Sequence, residues 1–313
     1  MIGWERLRVF AAVAEYGSVG AAAAALHITG PAVTQQLRKL EREAGIRVVE
    51  PDGRGIRLTA AGHVLAGHTR VVATAVADAE RDLTSLHDDV AGPVRIGSVA
   101  SALRALLPDA LRTLVSTHPR LVPMVADGEG VGLLPELRSR DLDAVLLESW
   151  TQHPAALPAG IRVTTLVTEP VMLAVPAAHP VAGRASVSLR DLGGQVWASC
   201  PVGTESHGAL LQLMRAAGIE PEVRYLFADF ATQIALVRGG LAVALVPAMA
   251  VVPGGDAEPD GVRFVPCRPA VERSLVLATR EGDAELPALV ALADALRTVA
   301  ARVTAEPGAP VPP

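Results

Sequence analysis

Amides and guanidiniums gathered on one helical face can read base edges, and cations there neutralise phosphates. The sequence offers such a set within SVGAAAAALHITGPAVTQQLRKLE, residues 18–41. If the second half of this stretch is helical, a step of about 100° per residue puts Val33, Leu37 and Leu40 on one face. Pro31, Thr34, Gln35, Arg38 and Arg42 then fall on the other, with no carboxylate turned outward among them. That chemistry suits a DNA groove. An ordinary amphipathic helix pair inside a bundle has the same pattern, so the face alone leaves both readings open.

Elements able to hold such a face surround it. The first short helix opens on Ser18, whose hydroxyl can cap free N–H groups, and continues as near-pure alanine, the best helix former. His27-Ile28-Thr29 breaks the pattern. Thr29 is an N-cap for the second helix, and Pro31 is tolerated in a first turn because the N–H it lacks would be unpaired there. Helix, short turn and helix with a polar outer face make a helix-turn-helix. Residues 2–15 place Trp4, Leu7, Phe10, Ala11 and Ala14 at spacings of 3 and 4, an amphipathic helix to lie beneath the pair, and Gly17 supplies its stop. Farther on, Val48-Val49, the turn Pro51-Asp52-Gly53, then Ile56 and Leu58 read as a small hairpin. With Arg47, Arg54 and Arg57 it is either a basic wing or a solvated hairpin.

Thr59 caps a long helical stretch in which Leu65, Thr69, Val72, Val76, Ala79, Leu83, Leu86 and Val90 alternate at spacings of 4 and 3. This is a heptad seam with one polar member. A second copy of itself is the simplest partner, and paired heads match paired half-sites on DNA. The competing reading packs the helix inside one larger domain.

Charge divides the same way. The 313 residues carry a net −5, yet residues 1–57 are +2 and the remainder −7, a mildly basic head on an acidic body. No uncharged apolar run reaches about 18 residues, and Glu5, Arg6 and Arg8 interrupt any N-terminal apolar segment, so a cytoplasmic chain without a membrane role is expected. Cys200 and Cys267 give neither a disulfide framework nor a metal cluster; they read as buried or incidental thiols rather than a redox pair, and no cofactor is implied.

Beyond Ala91-Gly92-Pro93, apolar strands alternate with helices. Strands are expected at 94–98, 122–127, 142–148, 161–167, 171–176, 195–200, 223–229, 241–247, 262–267 and 274–280, with helices at 102–117, 131–140, 205–217, 230–238 and 286–303. Such continuity implies parallel sheets covered on both faces. Two βαβ sets imply two lobes, 93–167 with 269–304 and 168–268, with a ligand crevice at the carboxyl ends of their strands. The Pro-rich tail 305–313 reads as disordered.

The order of parts resembles the LysR-type transcriptional regulators over essentially the whole chain. The resemblance is carried by AAALHITGPAVTQQLRKLEREAG, the wing GRGIRLTAAG, the long helix, and the phrases IGSVASALRALLP, RSRDLDAVLLE and ALVRGGLAVALVP. It implies an all-α winged helix-turn-helix over 1–58 and a linker helix for dimerisation over 59–90, with Leu65, Val72, Val76, Ala79, Leu83 and Leu86 on the seam. An α/β two-lobed, periplasmic-binding-protein-like domain over 91–304 then takes a small effector. It further implies a homodimer or homotetramer on double-stranded promoter DNA, bent differently when effector binds, with RNA polymerase as a candidate further partner. Carried over by position, Thr29, Pro31, Thr34, Gln35 and Arg38 face DNA, Arg54 lies in the wing, and Ser18 joins them from the start of the first helix. Gly30 stands where members often have glutamine, and Val49 and Pro51 where the wing usually has phenylalanine and arginine; these departures bear on which operator is read.

In the body, Ser101 matches a hydroxyl position that often touches ligand, with Ser98 just before it. The loop SCPVGTES (199–206) offers Thr204 and Ser206 from the facing lobe. Hydroxyls and N–H groups at helix starts favour an anion, whereas Asp127 and Glu129 at the same mouth suit an amine. The ligand class therefore stays open, and each hydroxyl is equally readable as a helix cap. Thr204, Ser206, His207 and Cys200 lie close in sequence, but no nucleophile elbow, Walker loop, GxGxxG or metal spacing accompanies them, so a regulator and not an enzyme is expected. A solute-binding protein would share the lobes but leave the head and the heptad helix unaccounted for.

Overall fold

The computed structural model describes residues 2–53, 55–85, 90–251 and 261–305; Arg54, Leu86 and the tail from residue 306 lie outside them. The chain divides into two compact units, 1–83 and 84–313.

The first unit runs α1 (Trp4–Tyr16), α2 (Val19–Ala25), α3 (Gly30–Ala44), the hairpin β1 (Val49–Asp52) and β2 (Gly55–Leu58), and α4 (Ala60–Ser85). Its caps are local. Ser18 Oγ accepts from the Ala21 N–H at 3.1 Å, and Thr29 Oγ1 from the Ala32 N–H at 3.4 Å. Gly17 and Gly45 close α1 and α3 at φ near +64° and +70°, a left-handed conformation that glycine adopts without steric cost. Phe10, Val13, Ala22, Val33, Leu37, Leu40 and Val48 form the core, and burial of this apolar surface is the main favourable term. The face of α1 differs from the expected stripe. Val9, Phe10, Ala12 and Val13 are buried, while Trp4, Leu7, Ala11 and Ala14 are only partly covered, because α1 packs against both α2 and α3.

The seam of α4 divides. Leu65 packs on the head's core and Thr69 is buried, whereas Val72 and Leu83 are 40% and 63% exposed, Ala79 is exposed and Val76 half-buried.

The second unit runs β3 (Gly92–Ser98), α5 (Ala100–Ala105), α6 (Leu107–Thr117), β4 (Leu121–Asp127), α7 (Gly130–Arg138), β5 (Ala144–Trp150), β6 (Ile161–Pro176), β7 (Val187–Ser188) and β8 (Val196–Ser199). It continues through α8 (Glu205–Ala216), β9 (Glu222–Leu226), α9 (Phe230–Arg238), β10 (Ala244–Pro247), β11 (Val262–Arg280) and α10 (Pro287–Ala305). The main sheet has the order β10-β6-β11-β5-β3-β4, with β7 beside β11 and a separate pair β8-β9.

Three expectations are corrected here. The sheets are not all parallel: β3 pairs parallel with β4 and β5, and β8 with β9, but β11 runs antiparallel to β5 and β6, and β10 to β6. The expected breaks within 161–176 and 262–280 do not occur either. β6 and β11 are single strands of 16 and 19 residues that pair along both lobes, with irregular register between Pro266 and Val271. Their polar middles look like linkers in sequence, but the ladder keeps them extended. The expected helix 102–117 is two helices meeting at Leu106, with Pro108 in the first turn of α6.

Beside a smaller core of Leu133, Leu137, Val145 and Val276, two large apolar cores mark the lobes. Leu106, Leu114, Leu146, Leu275, Leu292 and Leu296 centre one, and Leu173, Trp197, Leu210, Met214 and Val246 the other.

Candidate nucleic-acid interface and effector cleft

On α3 the apolar triad Val33, Leu37 and Leu40 is buried, and Pro31, Gln35, Arg38 and Arg42 are exposed, with Thr34 half-buried at their edge. These residues, with Glu41, Gly45, Ile46 and Arg47, line an open concavity of about 930 Å³. Among the described residues the Gln35 amide and the Arg38 guanidinium have no side-chain partner, so both are available to an outside acceptor. Thr34 Oγ1 donates to the Gly30 carbonyl at 3.1 Å and is engaged within its own helix. Ser18 and Thr29 accept capping bonds, yet each hydroxyl keeps its proton to donate. One carboxylate, Glu41, does line the concavity, contrary to expectation. Its Oε1 accepts the Val48 and Val49 N–H groups at 3.0 and 3.4 Å, which absorb part of its charge. In the hairpin, Arg57 pairs with Glu50 at 2.6 Å; Arg54 lies outside the described residues.

The second constellation lies where β6 and β11 pass from lobe to lobe. Arg273 on β11 stands in register with Trp150 and Glu169 and is 0% exposed. Its Nη1 donates to Glu148 Oε2 at 2.7 Å and to Ser101 Oγ at 3.0 Å, its Nε donates to Glu169 Oε1 at 2.9 Å, and its guanidinium lies 5.6 Å from the Phe230 ring centre. Ser101 is therefore held by a buried cation, while Ser98 turns its hydroxyl onto the Val99 carbonyl at 3.0 Å. Thr204 caps α8: Oγ1 accepts from the His207 N–H at 3.3 Å and donates to the Pro201 carbonyl at 2.8 Å, with Ser206 Oγ 3.3 Å away.

Two carboxylates from facing lobes approach one another. Glu129 precedes α7 and Glu205 begins α8, and a Cβ on Gly130 would stand 3.2 Å from Glu205 Oε1, so glycine there admits that carboxylate. Burial, followed by the charges of Glu148 and Glu205, pushes the Glu129 carboxyl up to about 7 against the pull of Arg273. Burial likewise raises Glu205. Nearby, Arg104 on α5 forms a close ion pair with Asp229, the N-cap of α9, joining helices that belong to different cores. Burial works to raise Asp229, but Arg104 and the Thr232 bonds outweigh it and hold the carboxyl below its usual range.

Burial raises the Cys200 thiol strongly and lifts Cys267 to about 11, so both stay protonated at neutral pH. Burial lowers His207, whose Nδ1 lies 3.2 Å from Ser199 Oγ. Among the described residues no acid, histidine and cysteine cluster is arranged to hold a metal, and no helix is long and apolar enough to cross a membrane.

Of the expected body residues, the structure brings Glu129 to Glu205, Thr204 to Ser206, and Ser101 to Arg273; Ser98 stands apart. Sequence reasoning missed Glu148, Glu169, Glu205, Asp229 and Arg273. Its one usable signal was a charged residue in an otherwise apolar strand, as in AVLLE and ERSLVLA.

Residues 4–63 match the family model described as bacterial regulatory helix-turn-helix protein, lysR family, and residues 87–301 match the LysR substrate binding domain. The chain is 33% identical over 246 residues to the uncharacterized HTH-type transcriptional regulator YnfL of Escherichia coli K12, covering 77% of this chain and 81% of that one. It is 28% identical over 292 residues to the DNA-binding transcriptional dual regulator OxyR of the same strain, covering 93% of each. Its fold is similar to that of a full-length OxyR variant from Pseudomonas aeruginosa, with a TM-score of 0.67 at 22% identity over 95% of this chain and 98% of that one. A helix-turn-helix head and a two-lobed body, each matched by its own family model and in that order, establish that this chain belongs to the LysR family of transcriptional regulators.

Proposed function

We propose that the chain is a ligand-responsive regulator that binds promoter DNA as a dimer or a higher homo-oligomer in the cytoplasm. In this reading residues 1–58 contact the duplex, 59–90 pair with another copy, and 91–304 bind a small molecule between the lobes. The observation that carries it is the concavity of α3, where Gln35 and Arg38 are exposed and unpartnered beside Arg42 and Arg47. Such groups read bases and neutralise phosphates. The exposed apolar residues Val72 and Leu83 of α4 support pairing of that helix with a second copy. The Arg273 network supports an effector role for the crevice, because it joins the strands shared by both lobes to Ser101 and Phe230 on their facing helices. The relatives are regulators, and we read no catalytic activity in this chain.

The test is Arg38→Ala in the full-length protein, measured by gel shift on the duplex that native protein recovers from sheared genomic DNA. Affinity should fall roughly tenfold, and the log–log salt slope should become shallower by about one if the contact is to phosphate. Unchanged affinity at matched salt would remove the assignment of this face.

A further inference from the structure

Glu41 is out of place by charge. It lies among three arginines on the face read here as DNA-binding, where a carboxylate repels phosphate. Its bonds give it another use. Glu41 Oε1 accepts the N–H groups of Val48 and Val49, the residues that lead into the hairpin. Val48 is 1% exposed and is gripped from the other side as well. Its carbonyl accepts the Thr59 N–H at 3.1 Å, and Thr59 Oγ1 donates to the Arg47 carbonyl at 2.8 Å while accepting the Gly62 N–H at 3.0 Å. Gly62 in the first turn of α4 lies so close that a Cβ there would stand 2.1 Å from the Val48 oxygen. The residue just before the hairpin thus joins α3 through Glu41 and α4 through Thr59 and Gly62.

We propose that Glu41 is a positioning residue for DNA binding: it clamps the wing to the recognition helix at Val48, so that α3, the wing and the start of α4 present themselves to the duplex as one rigid piece. This rests on the reading of α3 as the DNA-facing helix. The clamp and a merely repulsive carboxylate make opposite predictions. If Glu41 only repels phosphate, removing it tightens binding; if it clamps, removing it releases the wing and weakens binding.

The experiment measures affinity against salt, the footprint boundary and the melting temperature for full-length Glu41→Ala, Glu41→Gln and Glu41→Asp on the recovered genomic duplex. Glu41→Ala should bind about tenfold more weakly, the cost of ordering a released wing on the duplex. Its salt slope should be shallower by about one for each phosphate that the released wing no longer neutralises, with protection shortened on the wing side. Glu41→Gln keeps a carbonyl acceptor and sheds the charge, so it should bind at least as tightly as native. Glu41→Asp keeps the charge but is one methylene short, so it should behave like Glu41→Ala; it replaces that variant if alanine does not fold. Glu41→Ala binding as tightly as native, Glu41→Gln as weak as Glu41→Ala, or a lowered melting temperature with unchanged salt slope and footprint would each overturn the clamp. If Arg38→Ala weakens binding and Glu41→Ala does not, the clamp alone falls. If Arg38→Ala is also silent, the reading of α3 falls with it.

Discussion

Arg38 and Arg273 carry the same guanidinium into opposite settings. Arg38 is exposed on α3 with no side-chain partner among the described residues, while Arg273 is wholly covered and bonded to Glu148, Glu169 and Ser101. A cation meant for an outside anion stays hydrated and unneutralised in the folded chain. A cation that holds strands together has its desolvation offset by carboxylates supplied from within. Identical chemistry therefore separates the proposed interface from an internal brace, and the separation can be measured.

The largest expected effect is on Arg273→Ala. It leaves Glu148 and Glu169 buried without their counter-charge, a change that costs about 3–5 kcal/mol. Urea unfolding followed by the fluorescence of Trp150 and Trp197, both buried in the body, should show this loss. Arg38→Ala in the same assay should move stability by less than about 0.5 kcal/mol, as usual for an exposed site. Equal midpoints for the two variants would end the contrast.

Glu129→Gln sharpens it through pH. The Glu129 carboxyl is raised from 4.5 to about 7, so the folded body holds that proton more tightly than the unfolded chain does. Its contribution to stability is fully present below about 4.5 and is lost as pH rises through about 7. Glu129→Gln, which cannot ionise, should melt with native protein at pH 4.5 and above it at pH 8, by on the order of a few degrees since the group is partly exposed. A difference that is the same at both pH values would contradict the raised Glu129 carboxyl.

The smallest effect belongs to Arg104→Ala. Arg104 and Asp229 are each about a third exposed, and ion pairs of this kind are worth less than about 1 kcal/mol. Loss of stability well beyond that would place this pair with Arg273 as a brace.

Much of the head was legible because its determinants are neighbours in sequence. Ser18 caps Ala21 and Thr29 caps Ala32 within three residues, and the buried triad of α3 follows directly from its spacing. The α1 stripe was placed about one position off, since the buried residues are Val9, Phe10, Ala12 and Val13 where α1 meets α2 and α3. In the body the alternation of strands and helices was readable, but strand direction was not. An apolar run such as LVLAT is equally suited to parallel and antiparallel neighbours, and β11 turned out to be antiparallel to both of its long partners. The cleft was read through its hydroxyls, which form caps and internal bonds, and through Asp127 and Glu129, while Glu148, Glu169, Glu205, Asp229 and Arg273 went unnoticed for want of visible partners.

Helix spacing, capping residues, the arginine and amide face of α3 and the basic head on an acidic body were determined by the sequence itself, since each depends on residues within a few turns. Tertiary structure alone decided that Arg273 would meet Ser101 and Glu148, 172 and 125 residues away, and that Glu129 and Glu205 would face each other. Partners at such separations are chosen by how the strands align and which groups desolvation forces together, and no local pattern encodes that choice.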